Sequence, residues 1–309
     1  MTIQPRTMIV FPGQGSQHAG MLDAAPETDG FERLLDAAEA LSDIELGAIS
    51  VLGSDEDLSD TRVAQPLLYL TDWAWGTALL DSGLQPDGAA GHSLGELAAL
   101  AIAGVYSVEA GLELVVERSK LMATQTAGDL GSMAAVIGLD ASTVSACLNG
   151  IDSVWVANDN SDSQIVISGL DASVEAASLV LSEAGARRII PLKVSGAFHT
   201  PLMEPAAHAF AETLRGADFS DAVFPVYQNA DPRPTTDAET IRERLIRQMT
   251  SPVMWTDTMA QMTADGPIHL IEAGPGNVLT GLAKRIESVR ARAVESVGIE
   301  TVIEEAARS

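Results

Sequence analysis

The chain has 309 residues, 46% hydrophobic and 4% aromatic, which is enough for one or two domains with a largely aliphatic core. Its formal net charge of −25 makes nucleic acid and anionic membrane poor partners. The single cysteine, Cys147, excludes an internal disulfide bond, and no Cys/His spacing typical of a metal site occurs, so neither a metal nor a cofactor is expected. Without a signal-like N-terminus or an apolar run approaching 18 residues, the expected location is the cytoplasm.

The first part of the chain predicts alternating strands and helices. A short apolar strand at 8–11 leads into a loop with glycines at 13 and 15. Further elements are predicted as helices at 31–40 and 66–80, a thin strand at 88–91, and a helix at 108–126 with Ser107 as its N-cap.

Residues 131–194 predict a different order of strands and helices. Strand, helix, strand, strand, helix and strand are predicted at 133–139, 141–148, 154–158, 164–168, 172–184 and 188–194. This is the ferredoxin-like order. Because α/β elements resume on both sides, we expect a small ferredoxin-like subdomain at 129–195, inserted into a larger α/β domain formed by 1–128 and 196–309.

The last part of the chain continues the larger α/β pattern. The predicted elements are a helix near 201–215, a strand near 223–228, a helix near 238–249, a strand at 268–272 and a helix near 278–286. Residues 289–309 are predicted to form a strand-poor, partly helical tail without an assigned role.

The segment Gly91-His92-Ser93-Leu94-Gly95-Glu96 has the pattern G-x-S-x-G and precedes a run of strong helix formers. This order is typical of a nucleophile elbow, a tight strand-to-helix turn that presents a serine hydroxyl. The flanking glycines allow close backbone approach, and the helix N-terminus favours an oxyanion. The sequence therefore predicts Ser93 as a nucleophile.

Such a serine needs a base, and the chain has five histidines: His18, His92, His199, His208 and His269. His199 is the favoured candidate because Thr200 and Pro201 after it start a helix, and catalytic side chains often lie at such junctions above an α/β sheet. A structural role for His199 remains the alternative. His92 adjoins the serine, where neighbouring side chains usually point apart.

Arg118 projects from an apolar helix surface. Its neighbours three and four positions away are Leu114, Val115, Leu121 and Met122. An unpaired guanidinium there is costly, so Arg118 needs an anion. Two interpretations remain open, namely a buried ion pair with an internal Asp or Glu, and a fork that holds a substrate carboxylate.

Six segments of the sequence are informative as an ordered set. They are Phe11-Pro12-Gly13-Gln14-Gly15-Ser16-Gln17, Gly91-His92-Ser93-Leu94-Gly95-Glu96, Arg118 with Met122, Gly196-Ala197-Phe198-His199, Ser251-Pro252-Val253 with Trp255, and Glu272-Ala273-Gly274-Pro275-Gly276. Together they span nearly the whole chain, which resembles the malonyl-CoA:acyl carrier protein transacylases and the acyltransferase domains of polyketide and fatty acid synthases. The resemblance implies a hydrolase-like α/β core with the ferredoxin-like subdomain.

The same resemblance implies roles for individual residues. Ser93 would be acylated with His199 as its base, and the backbone N–H groups of Gln14 and Leu94 would form the oxyanion hole. Arg118 would bind the malonyl carboxylate, and a backbone carbonyl at Gln248 would orient the histidine. Leu94 and Phe198 match the malonyl-selecting variants. Asn160 would bind substrate, although Asp162-Ser163 nearby replaces the Pro-Gly of many relatives.

The implied activity is ping-pong transfer of malonyl from malonyl-CoA to an acyl carrier protein, with no nucleic acid or membrane partner. Two alternatives stay open. One is a serine hydrolase, with Asp265-Gly266 as a dyad segment, and the other is a non-catalytic carrier-binding protein. An acidic carrier protein would dock on local basic clusters, of which the sequence offers two: Arg187 with Arg188 and Lys193, and Lys284 with Arg285.

Overall fold

The computed structural model describes residues 4–126, 131–194 and 196–307. Up to residue 126 the elements are β1 (Arg6–Phe11), α1 (Met21–Ala24), α2 (Phe31–Ser42), α3 (Leu46–Leu52), α4 (Asp55–Ser59), α5 (Thr61–Asp81), β2 (Gly88–Gly91), α6 (Gly95–Ile102) and α7 (Val108–Thr126). The next six are β3 (Ser132–Ile137), α8 (Ala141–Leu148), β4 (Val154–Ser161), β5 (Gln164–Gly169), α9 (Asp171–Glu183) and β6 (Arg188–Pro191).

The remaining elements begin with a 3₁₀ turn at Pro201–Met203. They continue as α10 (Glu204–Gly216), β7 (Val226–Gln228), β8 (Asp231–Thr235), α11 (Ala238–Gln248), β9 (Val253–Met254), α12 (Trp255–Thr263), β10 (Ile268–Glu272), α13 (Val278–Ala283), β11 (Val289–Ala293), α14 (Val294–Val297) and α15 (Ile299–Ala307). Within the described residues, no helix combines the length and apolar character needed to cross a membrane.

The larger sheet has six strands in the order β11-β10-β1-β2-β7-β8. All neighbouring pairs are parallel except β7 and β8. Strand β1 is buried on both faces: Ile9 and Phe11 join one apolar cluster, and Met8 and Val10 join another. This alternation is why the sequence shows a continuous apolar run there, since a central parallel strand is covered by helices on both sides.

The smaller sheet has five strands in the order β6-β3-β5-β4-β9. Its first four strands are antiparallel and, with α8 and α9, form the predicted ferredoxin-like arrangement around their own apolar cluster. Strand β9 comes from the larger part of the chain and pairs parallel with β4, where Asn158 lies opposite Val253. The predicted fold class is confirmed. The subdomain boundaries stay a prediction, because residues 127–130 and 195 lie outside the described residues.

The C-terminal tail is partly helical, as predicted, through α14 and α15, but it also contains a strand that was not predicted. Val289–Ala293 forms β11, the edge strand of the larger sheet, which pairs parallel with β10. The sequence Val-Arg-Ala-Arg-Ala alternates apolar and charged residues, as an edge strand with one solvated face does. Its arginines, Arg290 and Arg292, pair with Glu305 of α15 at 3.1 and 3.0 Å, so the tail closes onto the sheet.

Candidate active site

Ser93 lies in a sharp turn between β2 and α6, at the carboxyl end of the central parallel strands. Its φ is +51°, a strained conformation for a residue with a side chain. The flanking glycines are required by close packing. A Cβ at Gly91 would lie 1.9 Å from the carbonyl carbon of Gly95, and one at Gly95 would lie 2.1 Å from the carbonyl oxygen of Phe11. The turn therefore has the geometry of a nucleophile elbow.

A buried polar group that sequence reasoning missed holds this turn. The Ser93 N–H donates to Oδ1 of Asn229 at 2.7 Å, and Nδ2 of Asn229 donates to the carbonyl of Gly91 at 2.6 Å. The Glu96 carboxylate accepts the Asn229 backbone N–H at 2.8 Å. Burial raises the pKa of Glu96, and hydrogen bonds from the Asn229 backbone and from the side chains of Gln248 and Gln228 oppose the shift. The one available signal was that Asn229 directly follows the strand predicted near 223–228, and functional side chains often follow strands of α/β sheets.

His199 faces the serine. Its Nε2 lies 2.8 Å from Ser93 Oγ, and its Nδ1 lies 3.1 Å from the carbonyl oxygens of both Gln248 and Ser251. Carbonyl oxygens only accept, so Nδ1 carries the proton and Nε2 is free to accept the serine proton. Burial, followed by the positive charge of Arg118, lowers the pKa of His199 to about 3, which keeps the imidazole neutral. Ser251 had not been anticipated as a second orienting group.

Arg118 reaches the same hydroxyl from α7. Its side chain is 1% exposed; Nη1 donates to Oε1 of Gln65 at 2.6 Å, and Nη2 donates to Ser93 Oγ at 3.2 Å and to Oε1 of Gln248 at 3.1 Å. These partners are all neutral, and none of the described carboxylates lies within 4.0 Å to form an ion pair with Arg118. Burial lowers the pKa of Arg118 to about 10, partly offset by Glu96. The guanidinium is thus buried, charged and without a carboxylate at contact.

A cavity of about 70 Å³ lies over these groups. It adjoins a groove of about 1120 Å³ that shares Gln14, Leu192, Val194 and Phe198 with it. The cavity is lined by Gln14, Gln65, His92, Ser93, Leu94, Arg118, Met122, Met133, Asn158, Leu192, Val194, Phe198 and His199. The small volume of the cavity and the guanidinium of Arg118 at its wall suit a short acyl group that bears a carboxylate.

The two expected oxyanion donors border this cavity. Leu94 is the N-cap residue of α6 and is 1% exposed, and the Gln14 side chain is hydrogen-bonded to the carbonyl of Ser59 and the hydroxyl of Thr61. In the part of the chain that the structure describes, the backbone N–H groups of Gln14 and Leu94 have no hydrogen-bond acceptor. Both donors are therefore available to an oxyanion.

The other predicted binding residues divide between the cavity wall and the layer behind it. Phe198 lines the cavity. Asn160 lies behind it, where its Oδ1 is 2.8 Å from Nε2 of His92, whose ring also contacts Trp255 at a centroid distance of 5.6 Å. Asn158 lines the cavity, and its buried Oδ1 has no partner among the described residues. His92 is therefore engaged by Asn160, not by the serine.

The remaining histidines and the Asp-Gly segment lie elsewhere. His18 is bonded to Glu295 at 2.9 Å, His208 is exposed on α10, and His269 lies within β10. Asp265 precedes β10, its side chain is 82% exposed, and it pairs with Arg6 at 3.5 Å. Because β10 and β2 run in the same direction as β1, Asp265 lies at the edge of the sheet opposite Ser93.

Comparison with known proteins gives consistent matches over most of the chain. The acyl transferase domain family model matches residues 8–302. The malonyl CoA-acyl carrier protein transacylase of Synechocystis sp. is 43% identical over 91% of this chain and 93% of its own length. That of Bacillus subtilis is 39% identical over 90% and 89%. A malonyl-transacylase solved in complex with its type II PKS acyl-carrier protein superposes with a TM-score of 0.89 at 36% identity, covering 98% of this chain and all (100%) of that one.

Proposed function

The chain belongs to the acyl transferase family, and on that premise we propose that it transfers malonyl from malonyl-CoA to the phosphopantetheine thiol of an acyl carrier protein. The observation that carries this proposal is the position of Arg118. A buried guanidinium with only neutral partners donates to the hydroxyl of the serine in the elbow. A free carboxylate beside the reacting acyl carbon would satisfy it, and a malonyl thioester has that carboxylate two bonds from the thioester carbonyl carbon.

In the first half-reaction Ser93 is the nucleophile. Nε2 of His199 takes the hydroxyl proton as Oγ attacks the thioester carbonyl carbon. The backbone N–H groups of Gln14 and Leu94 stabilise the resulting oxyanion, where one such donor is typically worth roughly 3–4 kcal/mol. When the C–S bond breaks, His199 returns its proton to the departing coenzyme A sulfur, and malonyl-Ser93 remains.

In the second half-reaction the direction is reversed. The phosphopantetheine thiol gives its proton to His199 and attacks the acyl-serine carbonyl carbon. Collapse of the tetrahedral intermediate breaks the C–O bond, and Ser93 Oγ recovers the proton from His199. Throughout, Arg118 holds the malonyl carboxylate, so an uncharged acyl group leaves the guanidinium unpaired and is disfavoured.

The hydrolase alternative has less support. Asp265 lies at the opposite edge of the sheet and is exposed, so it cannot form a dyad with Ser93. A hydrolase mechanism also assigns no role to Arg118. The proposed location is the cytoplasm, which the single free cysteine, Cys147, supports because reducing compartments do not select for disulfide bonds.

The test is intact-protein mass spectrometry after brief exposure to malonyl-, methylmalonyl- or acetyl-CoA. We expect a malonyl adduct on the peptide that contains Ser93, its removal by holo acyl carrier protein, and none on Ser93→Ala. A matched control is Ser119→Ala, a buried serine whose hydroxyl donates to the carbonyl of Val116 in its own helix. An adduct that persists in Ser93→Ala, or one released to water at the same rate without carrier protein, contradicts the proposal.

A further inference from the structure

A series of hydrogen bonds joins Gln14, in the loop after β1, to Arg118 on α7. Nε2 of Gln14 donates to the carbonyl of Ser59 at 3.0 Å, and Thr61 Oγ1 donates to Oε1 of Gln14 at 2.8 Å. Nε2 of Gln65 donates to Thr61 Oγ1 at 3.2 Å, and Nη1 of Arg118 donates to Oε1 of Gln65 at 2.6 Å. Thr61 and Gln65 are 8% and 1% exposed, and the Gln65 end of the series is buried, whereas Gln14, Ser59 and Thr61 also line the groove.

The direction of this series is determined at both ends. The Ser59 carbonyl can only accept, and the Arg118 guanidinium can only donate. The amide of Gln14 must therefore direct its nitrogen to Ser59 and its oxygen to Thr61. The Thr61 hydroxyl in turn must donate to Gln14 and accept from Gln65, which leaves the Gln65 oxygen for Arg118. A single hydroxyl thus joins two amides whose orientations are set by Ser59 at one end and by Arg118 at the other.

We propose that Thr61 is a positioning residue that couples the oxyanion hole to the carboxylate site. The inference rests on the proposed function, because it assigns Gln14 and Arg118 the roles given above. Through Gln14, Thr61 holds the loop whose backbone N–H faces the reacting carbonyl. Through Gln65, it sets the plane of the guanidinium fork that faces the carboxylate. Both ends of a malonyl group are then located relative to each other by one side chain of α5.

Loss of the hydroxyl has a distinctive consequence. Without it, Oε1 of Gln14 loses its partner and Nε2 of Gln65 keeps only Sδ of Met122, a weak acceptor at 3.3 Å, so each amide can rotate to seek another. A displaced Gln14 loop slows transfer of every acyl group. A displaced Arg118 slows only acyl groups with a carboxylate. The ratio of malonyl to acetyl transfer rates therefore measures the effect of Thr61 on Arg118. The acetyl transfer rate alone measures its effect on the Gln14 loop.

The experiment compares Thr61→Val with Thr61→Ser, using malonyl-CoA and acetyl-CoA with the same holo carrier protein. Thr61→Val should lose malonyl transfer by on the order of tenfold, and its malonyl-to-acetyl ratio should fall by at least roughly threefold. Thr61→Ser keeps the hydroxyl and should restore the ratio. The matched control is Thr71→Val in the same helix, a buried threonine whose hydroxyl donates to the carbonyls of Leu67 and Leu68.

A double variant separates coupling from a general effect on folding. In an Arg118→Ala background, Thr61→Val should slow malonyl and acetyl transfer equally, because the guanidinium that binds the carboxylate is absent. An unchanged ratio in Thr61→Val, or a Thr71→Val control that lowers the ratio as much, overturns the inference. Failure of the proposed function is a different result, since wild-type protein would then form no malonyl-Ser93 at all.

Discussion

Gln248 accepts a hydrogen bond from Nη2 of Arg118 at 3.1 Å, although the two residues are 130 positions apart in the chain. The Nε2 of the same glutamine donates to the Ser93 carbonyl at 2.9 Å, and its own carbonyl accepts from Nδ1 of His199 at 3.1 Å. One residue at the end of α11 therefore contacts the proposed nucleophile, base and carboxylate-binding group. Its backbone and side chain serve different partners, which allows them to be separated by mutation.

Gln248→Glu should weaken malonyl binding selectively. The new carboxylate would form an ion pair with Arg118 and compete with the malonyl carboxylate, while the backbone carbonyl that holds His199 stays in place. We expect the KM for malonyl-CoA to rise on the order of tenfold, with a smaller effect on acetyl transfer. Steady-state kinetics measure both, and Gln248→Met is the control of similar length without a carboxylate. A malonyl KM that stays at the wild-type value in Gln248→Glu would contradict this prediction.

Arg118→Ala should cost roughly 1.5–3 kcal/mol in malonyl transfer, the range for a hydrogen bond to a charged group. Acetyl transfer should be unchanged or improved, because no buried guanidinium then remains unpaired beside the methyl group. Arg118→Lys keeps the charge but loses the planar fork, so its malonyl transfer rate should lie between those of wild type and Arg118→Ala. Competition of both thioesters for one enzyme sample gives the ratio directly. Equal losses for malonyl and acetyl would mean that Arg118 is structural.

The low pKa of His199 predicts that the rate of Ser93 acylation does not fall in mildly acidic solution. Burial and the charge of Arg118 lower the pKa from 6.5 to about 3, so the imidazole should remain unprotonated and the rate of malonyl-Ser93 formation should hold from pH 7 to about pH 5. His199→Gln should reduce the rate by a factor on the order of 10²–10⁴ at every pH. Rapid-quench mass spectrometry measures the rate. A wild-type rate that halves near pH 6.5 would be the contrary result.

The same pKa has a consequence for stability. The folded state binds the His199 proton less readily than the unfolded chain, so this contribution to stability is present above pH 6.5 and is lost as pH falls from 6.5 toward about 3. His199→Gln should therefore lose less stability on acidification than wild type. Urea unfolding at pH 7 and pH 5 measures the difference, with His208→Gln, an exposed histidine, as control. Parallel losses in wild type and His199→Gln would count against the pKa assignment.

Carrier-protein docking should depend on the basic clusters of the sequence. Lys193 lines the groove beside Leu192 and Val194; its side chain is 75% exposed and pairs with Asp55, which is also exposed, at 3.2 Å. Arg187 and Arg188 are exposed nearby on the small subdomain. Because the chain carries a net charge of −25 and the carrier protein of the proposal is acidic, local cations should offset repulsion that salt screens beyond about 8–10 Å.

Reversal of Arg188 and Lys193 to Glu should thus raise the KM for carrier protein at low salt and leave acylation by malonyl-CoA nearly unchanged. The same reversal at Lys284 and Arg285 tests the second cluster. Arg215→Glu, on α10 and 58% exposed, is the control. The effect should shrink as salt rises. If both reversals leave carrier kinetics at wild-type values in low salt, docking depends on apolar contacts instead.

Asp72 should make the protein less stable as pH rises. Both carboxyl oxygens are buried in α5 without a hydrogen-bond partner among the described residues, and burial together with Glu272 raises the pKa well above 3.8. The folded state therefore holds this proton more tightly than the unfolded chain, and stability is lost as pH rises through the folded-state pKa. Thermal unfolding of Asp72→Asn should show a higher Tm than wild type at pH 8 and a smaller difference at pH 5. The control is Asp23→Asn, at an exposed position, which should not change the Tm at either pH. Equal Tm shifts of Asp72→Asn at pH 5 and pH 8 would contradict the argument.

The local parts of the site could be predicted from adjacent residues and helical spacing. Gly91 and Gly95 flank Ser93 because the elbow leaves no room for a Cβ at either position. Both glycines lie within two residues of the serine, so the sequence shows the pattern directly. The apolar neighbours of Arg118 follow from helical spacing, and they correctly indicated a buried guanidinium. The ferredoxin-like insertion was likewise readable, because its helices and strands alternate over a short stretch whose core is its own.

The residues that hold these parts in place become apparent in the folded chain alone. Asn229 reaches Ser93 across 136 positions, Gln65 reaches Arg118 across 53, and Ser251 reaches His199 across 52. The tail residues of β11 became a strand only through pairing with β10. Polar side chains of this kind carry no local periodicity, and an edge strand with one solvated face has a weak pattern. The parallel order of the sheet brings Asn229, after β7, beside the end of β2, whereas Gln65 meets Arg118 because α5 packs against α7. Sequence spacing encodes neither proximity.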